Sequence, residues 1–157
     1  MNDINEEEIR VFVTAIDRYF SQVTSEKATV RGAYLNQNDA VPPNYGFTGL
    51  ITMSGEYHGC IYFSAPRAMV RHVLIAMQES DHSNENLLDA VGEVANTIAG
   101  NARKYFGETM EISVPITILG EPTSIRAPVR ARPYVIAIDW RNYAASLVID
   151  IERKSRG

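Results

Sequence analysis

The sequence has one cysteine, Cys60, in 157 residues, which excludes an internal disulfide and fits a reducing compartment. Apolar runs are short, and none approaches the ~20 residues that a membrane-spanning helix needs. The N-terminal stretch from Met1 to Glu8 is acidic and lacks the apolar segment of a secretory signal. Cations are the minority charge. Fifteen Lys and Arg stand against nineteen Asp and Glu, a net charge of −4, which argues against a nucleic-acid or anionic-membrane binder. The one cationic cluster, Arg126, Arg130 and Arg132, and the short tail of Arg153, Lys154 and Arg156 are too small to reverse that balance. Common catalytic signatures are missing too: there is no Walker-type phosphate loop, G-x-G-x-x-G, G-x-S-x-G, H-E-x-x-H or C-x-x-C. The histidines, His58, His72 and His82, fall on different elements at spacings that suggest no shared metal site. What remains is 45% hydrophobic residues, enough for a core without staples. A single soluble domain over 1–157, in the cytoplasm, is the expectation.

Hydrophobic spacing predicts a helix over 6–23, with acids in its first turn where the helix dipole favours them. An extended stretch follows at 28–36, then a loop over 36–44 containing Pro42 and Pro43. Residues 47–53 and 57–63 form a predicted hairpin across Ser54, Gly55 and Glu56. Pro66 suits the first turn of a helix whose apolar side carries Met69, Val70, Val73, Leu74 and Met77. Ser83 is the expected N-cap of a long helix that stops at Gly107. A strand is expected over 112–119, a short one near 125–130, and a second hairpin over 134–139 and 145–151. Helix, strand, loop and hairpin thus occur twice, at 6–63 and 84–151. The predicted fold is α+β: pseudo-repeated halves with two long helices covering one face of a largely antiparallel sheet.

The helix beginning at Asn84 departs from the composition of plain scaffolding. On a helical wheel centred on Asn96, Leu87, Val94, Ile98 and Tyr105 fall opposite, flanked by Val91 and Ala102, and form the expected core face. On the side of Asn96 lie Glu85, Asp89, Gly92, Glu93, Gly100 and Arg103. Two interior glycines each cost about 0.8–1.0 kcal/mol relative to Ala, and Asn is a mediocre helix former. Asp89 and Glu93 repel one another one turn apart. A merely solvated face has no use for these choices, whereas glycines beside a projecting amide let another surface approach it.

The segment Asp89-x-x-x-Glu93-x-x-Asn96, continued through Thr97, Gly100 and Asn101, resembles the D/S-x-x-x-E-x-x-N helix of the CheC/CheX/FliY phosphatases of bacterial chemotaxis. The strand from Ile112 to Gly120 carries the proline, Pro115, that this family places downstream, and the hairpin from Phe47 to Ser64 is similar as well. Only one motif is present, since the first helix has no E-x-x-N, so the likeness is strongest to the single-site CheX branch. That resemblance implies a CheC-like fold, a homodimer, and hydrolysis of the aspartyl phosphate of a CheY-like response regulator. It implies Glu93 and Asn96 as catalytic residues. Asn96 would orient the attacking water, since a carboxamide both donates and accepts, and Glu93 would pair with the regulator's lysine. Asp89, Gly92, Gly100 and Arg103 are the candidates for contact with the regulator. No cofactor of its own is implied, the Mg²⁺ being the regulator's.

Two other readings of the same residues stay open. One is a non-catalytic module that docks a regulator or motor component. The other is a carboxylate–amide metal site at Asp89, Glu93 and Asn96, for which one helix offers few oxygen ligands. Two exposed hairpins and a single site also point to pairing of two chains through sheet edges.

Overall fold

In a computed structural model of the chain, residues 4–36, 41–107, 109–120 and 133–154 are described. Helix α1 spans Glu6–Tyr19, and its start is set locally. The Asn5 side chain accepts from the Glu8 amide while the Glu8 carboxylate accepts from the Asn5 amide, both at 2.8 Å, a reciprocal cap. The predicted helix to Val23 divides in two: after Tyr19 the chain continues as a π-helical turn, Phe20–Thr24, ending at Ser25 with φ 60°. The Thr24 hydroxyl donates to the Phe20 carbonyl inside that turn. Strand β1 (Thr29–Leu35), the hairpin β2 (Phe47–Ser54) and β3 (Tyr57–Ala65), and helix α2 (Arg67–Ala76) follow. Pro66 caps α2 rather than entering its first turn, and Met77 lies at its exposed C-terminal cap. Helix α3 covers Asn84–Phe106, with Ser83 and Gly107 as its caps, as the sequence predicts.

The single strand expected over 112–119 is two pieces, β4 (Glu111–Ile112) and β5 (Ile116–Leu119). Pro115 cannot donate to a ladder: Ser113 still bonds Thr52 of β2, and regular pairing with β2 resumes only at Ile116. The second hairpin is β6 (Tyr134–Trp140) and β7 (Tyr143–Arg153), turned by Arg141 and Asn142, both at positive φ. The strand expected near 125–130, and with it Arg126, Arg130 and Arg132, lies outside the described residues.

Among the described residues every strand pairing is antiparallel. The order is β1-β6-β7-β3-β2, with β4 and β5 both on the far side of β2. This order explains the repeat. Each half contributes a hairpin to the middle of the sheet and one outlying strand to the hairpin of the other half: β1 joins β6, and β5 joins β2. Exchanging the halves leaves the order unchanged. The hairpins are therefore central rather than exposed, and among the described residues the sheet ends at β1 on one side and at β4 with β5 on the other.

Helices α1 and α3 lie on one face of the sheet, antiparallel to each other. Phe12 of α1 meets Phe106 of α3 at 5.8 Å between ring centroids, while Tyr19, farther along α1, lies near Glu93, earlier in α3. Phe12, Ile16 and Phe20 fill the space beneath them with Ile51, Ile61, Phe63, Ile136 and Trp140. A polar clamp closes the end where α1 begins. The Glu8 carboxylate is buried and accepts from the Tyr57 hydroxyl, which also receives a hydrogen bond from Arg153 of β7. Buried carboxylates require such partners.

Candidate functional site

The site is built on α3. Ser83 accepts from the Asn86 amide at 3.3 Å to start the helix, Glu85 lies in its first turn, and Arg103 and Lys104 lie in its last, all in agreement with the helix dipole. Between these ends α3 packs on β2, β3 and β5 from below and on α1 and α2 from the sides. Burial accordingly takes in Leu87, Ala90, Val91, Gly92, Val94, Ala95, Ile98, Ala99 and Ala102, a wider arc than the wheel predicts. Tyr105, assigned to the core from spacing, is 49% exposed. It lies on the outer side of the α1–α3 seam, lining a groove with Glu7 and Arg10 of α1, and Phe106 packs inward on Phe12 and Tyr57 instead.

The open face is turned relative to the expected one. Asp89 and Glu93 are exposed at its middle, while Asn96 is half-buried at its border. Asn96 and Glu93 remain one turn apart, about 4.5 Å along the axis. The Asn96 carboxamide makes no hydrogen bond within the described residues. The Glu93 carboxylate accepts from the Thr97 hydroxyl at 3.3 Å, which holds it on the outer side of the helix. Its charge also reaches Tyr19 of α1, whose hydroxyl titrates well above the ordinary tyrosine range, chiefly through burial and secondarily through Glu93.

The two glycines have different reasons. Gly92 is buried and does not present an opening to a partner. A Cβ there would lie 2.9 Å from Thr117 Cγ2 and 3.2 Å from Pro115 Cβ, so β5 of the same chain fills the space. Gly100 borders open space, because a Cβ there would meet nothing within 4 Å. Arg103 is exposed but committed: its Nε donates to the Met110 carbonyl at 2.8 Å, tying the end of α3 to the turn before β4.

Gly49 carries weight that the sequence reading did not assign to it. It sits in mid-strand in β2, and its missing Cβ would lie 2.5 Å from the Val91 carbonyl oxygen. A glycine inside a strand is the usual mark of such a close backbone approach. Gly49 and Gly92 together seat α3 against β2 and β5, and so fix the turn that carries Glu93 and Asn96.

Each histidine has a separate neighbour: Glu152 for His58 at 3.2 Å, Tyr143 for His72 at 2.7 Å, and the Glu79 carbonyl for His82 at 2.9 Å. Cys60 is buried, and burial together with nearby Asp150 pushes its thiol up to about 12, which makes it a poor nucleophile. Among the described residues no three His, Cys, Asp or Glu side chains group closely enough to hold a metal ion. No described helix is long and apolar enough to cross a membrane. The arrangement offers a carboxamide that can donate and accept, a carboxylate one turn away, and open space one turn beyond.

Comparison with known proteins bears on the family and the fold. Residues 47–139, more than half of the chain, match the family model for the chemotaxis phosphatase CheX. No curated protein matches. The chemotaxis protein CheX of Vibrio vulnificus has a similar structure, with a TM-score of 0.80, 18% identity, and coverage of 93% of this chain and 99% of that one. CheX of Desulfovibrio desulfuricans gives 0.80 at 21% identity, covering 94% and 99%. The structure of a CheX–CheY–BeF₃–Mg²⁺ complex from Borrelia burgdorferi gives 0.72 at 18% identity, covering 93% and 98%. At these identities the likeness concerns the fold, which is the expected CheC-like α+β fold.

Proposed function

The chain belongs to the CheX family of chemotaxis phosphatases, and on that footing we propose that it hydrolyses the aspartyl phosphate of a CheY-like response regulator. The observation that carries the reading is the unengaged Asn96 carboxamide, held at the border of an open helix face beside exposed Glu93. In the proposed reaction Asn96 accepts from and donates to one water, aiming its oxygen at phosphorus in line with the leaving carboxylate. The new P–O bond forms as the bond to the aspartate breaks, the aspartate leaves as carboxylate, and both protons of the water go to the departing inorganic phosphate, which passes them to solvent according to its own acidity. Glu93 pairs with the regulator's lysine, and the regulator's own Mg²⁺ and lysine carry the phosphoryl charge. Asp89 and Gly100 extend the docking face on either side. The alternative, a docking module without turnover, predicts the same surface but no acceleration.

The direct test is release of acid-labile phosphate from a phosphorylated CheY, with and without this protein. Binding provides a second test. The face offers acids and an amide rather than a cationic cradle, so free phosphate is not its ligand. Titration is expected to give tighter binding to CheY activated with fluoroberyllate and Mg²⁺ than to unmodified CheY. Equal affinities would favour the docking module.

A homodimer is also proposed. One site per chain is consistent with pairing, and β1 offers a sheet edge with no strand beyond it among the described residues. Sedimentation equilibrium at micromolar concentration is expected to show twice the chain mass. A clean 17.5 kDa species would sink the dimer and leave the catalytic reading standing.

A further inference from the structure

The outer stripe of α3 is split by charge. Exposed Asp89 and Glu93 lie on the N-terminal side of Asn96. On its C-terminal side Gly100, Arg103, Lys104 and Gly107 line a cleft of about 650 Å³ that is open to solvent. Helix-dipole compensation explains why cations stand in the last turn of a helix. It does not explain why a glycine stands one turn before them, at a cost of about 0.8–1.0 kcal/mol in helix propensity. A Cβ at Gly92 or Gly49 would meet neighbours in its own chain, whereas one at Gly100 would meet nothing within 4 Å. Lys104 is exposed and has no carboxylate within ion-pair distance among the described residues. Glu7, the nearby acid of α1, lines a separate groove with Tyr105.

Building on the phosphatase reading, we propose that the Gly100–Lys104 cleft receives an acidic segment of the activated regulator and so fixes the direction in which the regulator lies along α3. Eleven residues separate Glu93 from Lys104, about 16 Å along the axis. The fitting partner therefore carries a cation beside its phosphoryl group and an anionic segment about 16 Å away from that cation. Reversing the partner end for end brings carboxylate against carboxylate and cation against cation, which costs affinity at both ends. Charge pairing of this kind acts mainly on encounter and affinity, and little on the chemical step.

The test compares wild type, Lys104→Gln and Lys104→Glu in titrations against CheY activated with fluoroberyllate and Mg²⁺ at several salt concentrations, together with turnover of phosphorylated CheY. Lys104→Glu is expected to weaken binding about tenfold at low salt, Lys104→Gln less, and the differences are expected to shrink as salt rises. KM should rise in the same order while kcat moves less than twofold. Binding by Lys104→Glu within twofold of wild type, with normal wild-type turnover, overturns this inference alone. Wild type that binds in a Lys104-dependent way without accelerating dephosphorylation leaves the cleft standing and removes the phosphatase reading. No binding by wild type removes both.

Discussion

Replacing Asn96 with Ala is expected to lower turnover of phosphorylated CheY about a hundredfold or more, with little change in affinity for the fluoroberyllate-activated form. The amide is assigned to a water that becomes critical only as the bond to phosphorus forms, so its loss appears in kcat rather than in ground-state binding. Asn96 has no hydrogen bond within the described residues to lose, and Ala is the better helix former, so the melting temperature should hold or rise slightly. Glu93→Ala should behave differently. Its pairing with the regulator's lysine exists before and during reaction, so binding and turnover fall together. The Thr97 hydroxyl loses an exposed partner, at little cost to stability. The comparison of the two variants separates orienting from docking. An Asn96→Ala protein that dephosphorylates CheY at the wild-type rate would end the catalytic assignment.

Much of this was legible from residue type and spacing because the decisive signals are local. Ser83 and Gly107 bracket α3 through cap chemistry, and Gly55 at φ 126° closes the first hairpin where the sequence places it. The repeat was readable from element order, but the exchange of β1 and β5 between halves was not. Pairing between distant strands leaves no mark in either strand's own alternation. The wheel erred for a related reason. It assumes one buried side, and α3 is covered by a sheet, by α1 and by the strand that follows it. That extra cover turns the open arc toward Glu93, places Asn96 at its edge and closes over Gly92. Tyr105 keeps the core spacing yet lies over the outer side of the groove between α1 and α3, and Phe106 takes the inward place. Pro115 was noticed as a likeness to the family, yet its physical work, breaking β4 from β5 and packing over Gly92, appears only when the two segments are seen together.

The three glycines around α3 should respond to Ala in a graded series, with Gly49 the most damaged. At Gly49 the added Cβ falls 2.5 Å from the Val91 carbonyl oxygen, 2.9 Å from its carbon and 3.0 Å from the Gly92 Cα. All three are backbone atoms, so no side chain can rotate away, and α3 must lift from β2. Overpacking of this kind costs about 1–3 kcal/mol and more where backbone must move. For a chain of this size that lowers the melting temperature by about 5–10 °C. The lifted turn is the one that carries Glu93 and Asn96, and a misplacement of about 1 Å at such a site can cost about a hundredfold in rate. Gly49→Ala should therefore lose stability and turnover together, although Gly49 itself contacts no substrate. At Gly92 the first atoms met are Thr117 Cγ2 and Pro115 Cβ, both on side chains of an edge segment that can yield by a few tenths of an ångström. The expected loss there is smaller and falls mainly on turnover. At Gly100 nothing is met, so Ala should raise the melting temperature by about 2–4 °C through helix propensity alone, while weakening binding of activated CheY. Thermal melts and turnover assays on the three variants check the order. A Gly49→Ala protein with wild-type melting and wild-type turnover would show that the seating of α3 on β2 does not hold the site.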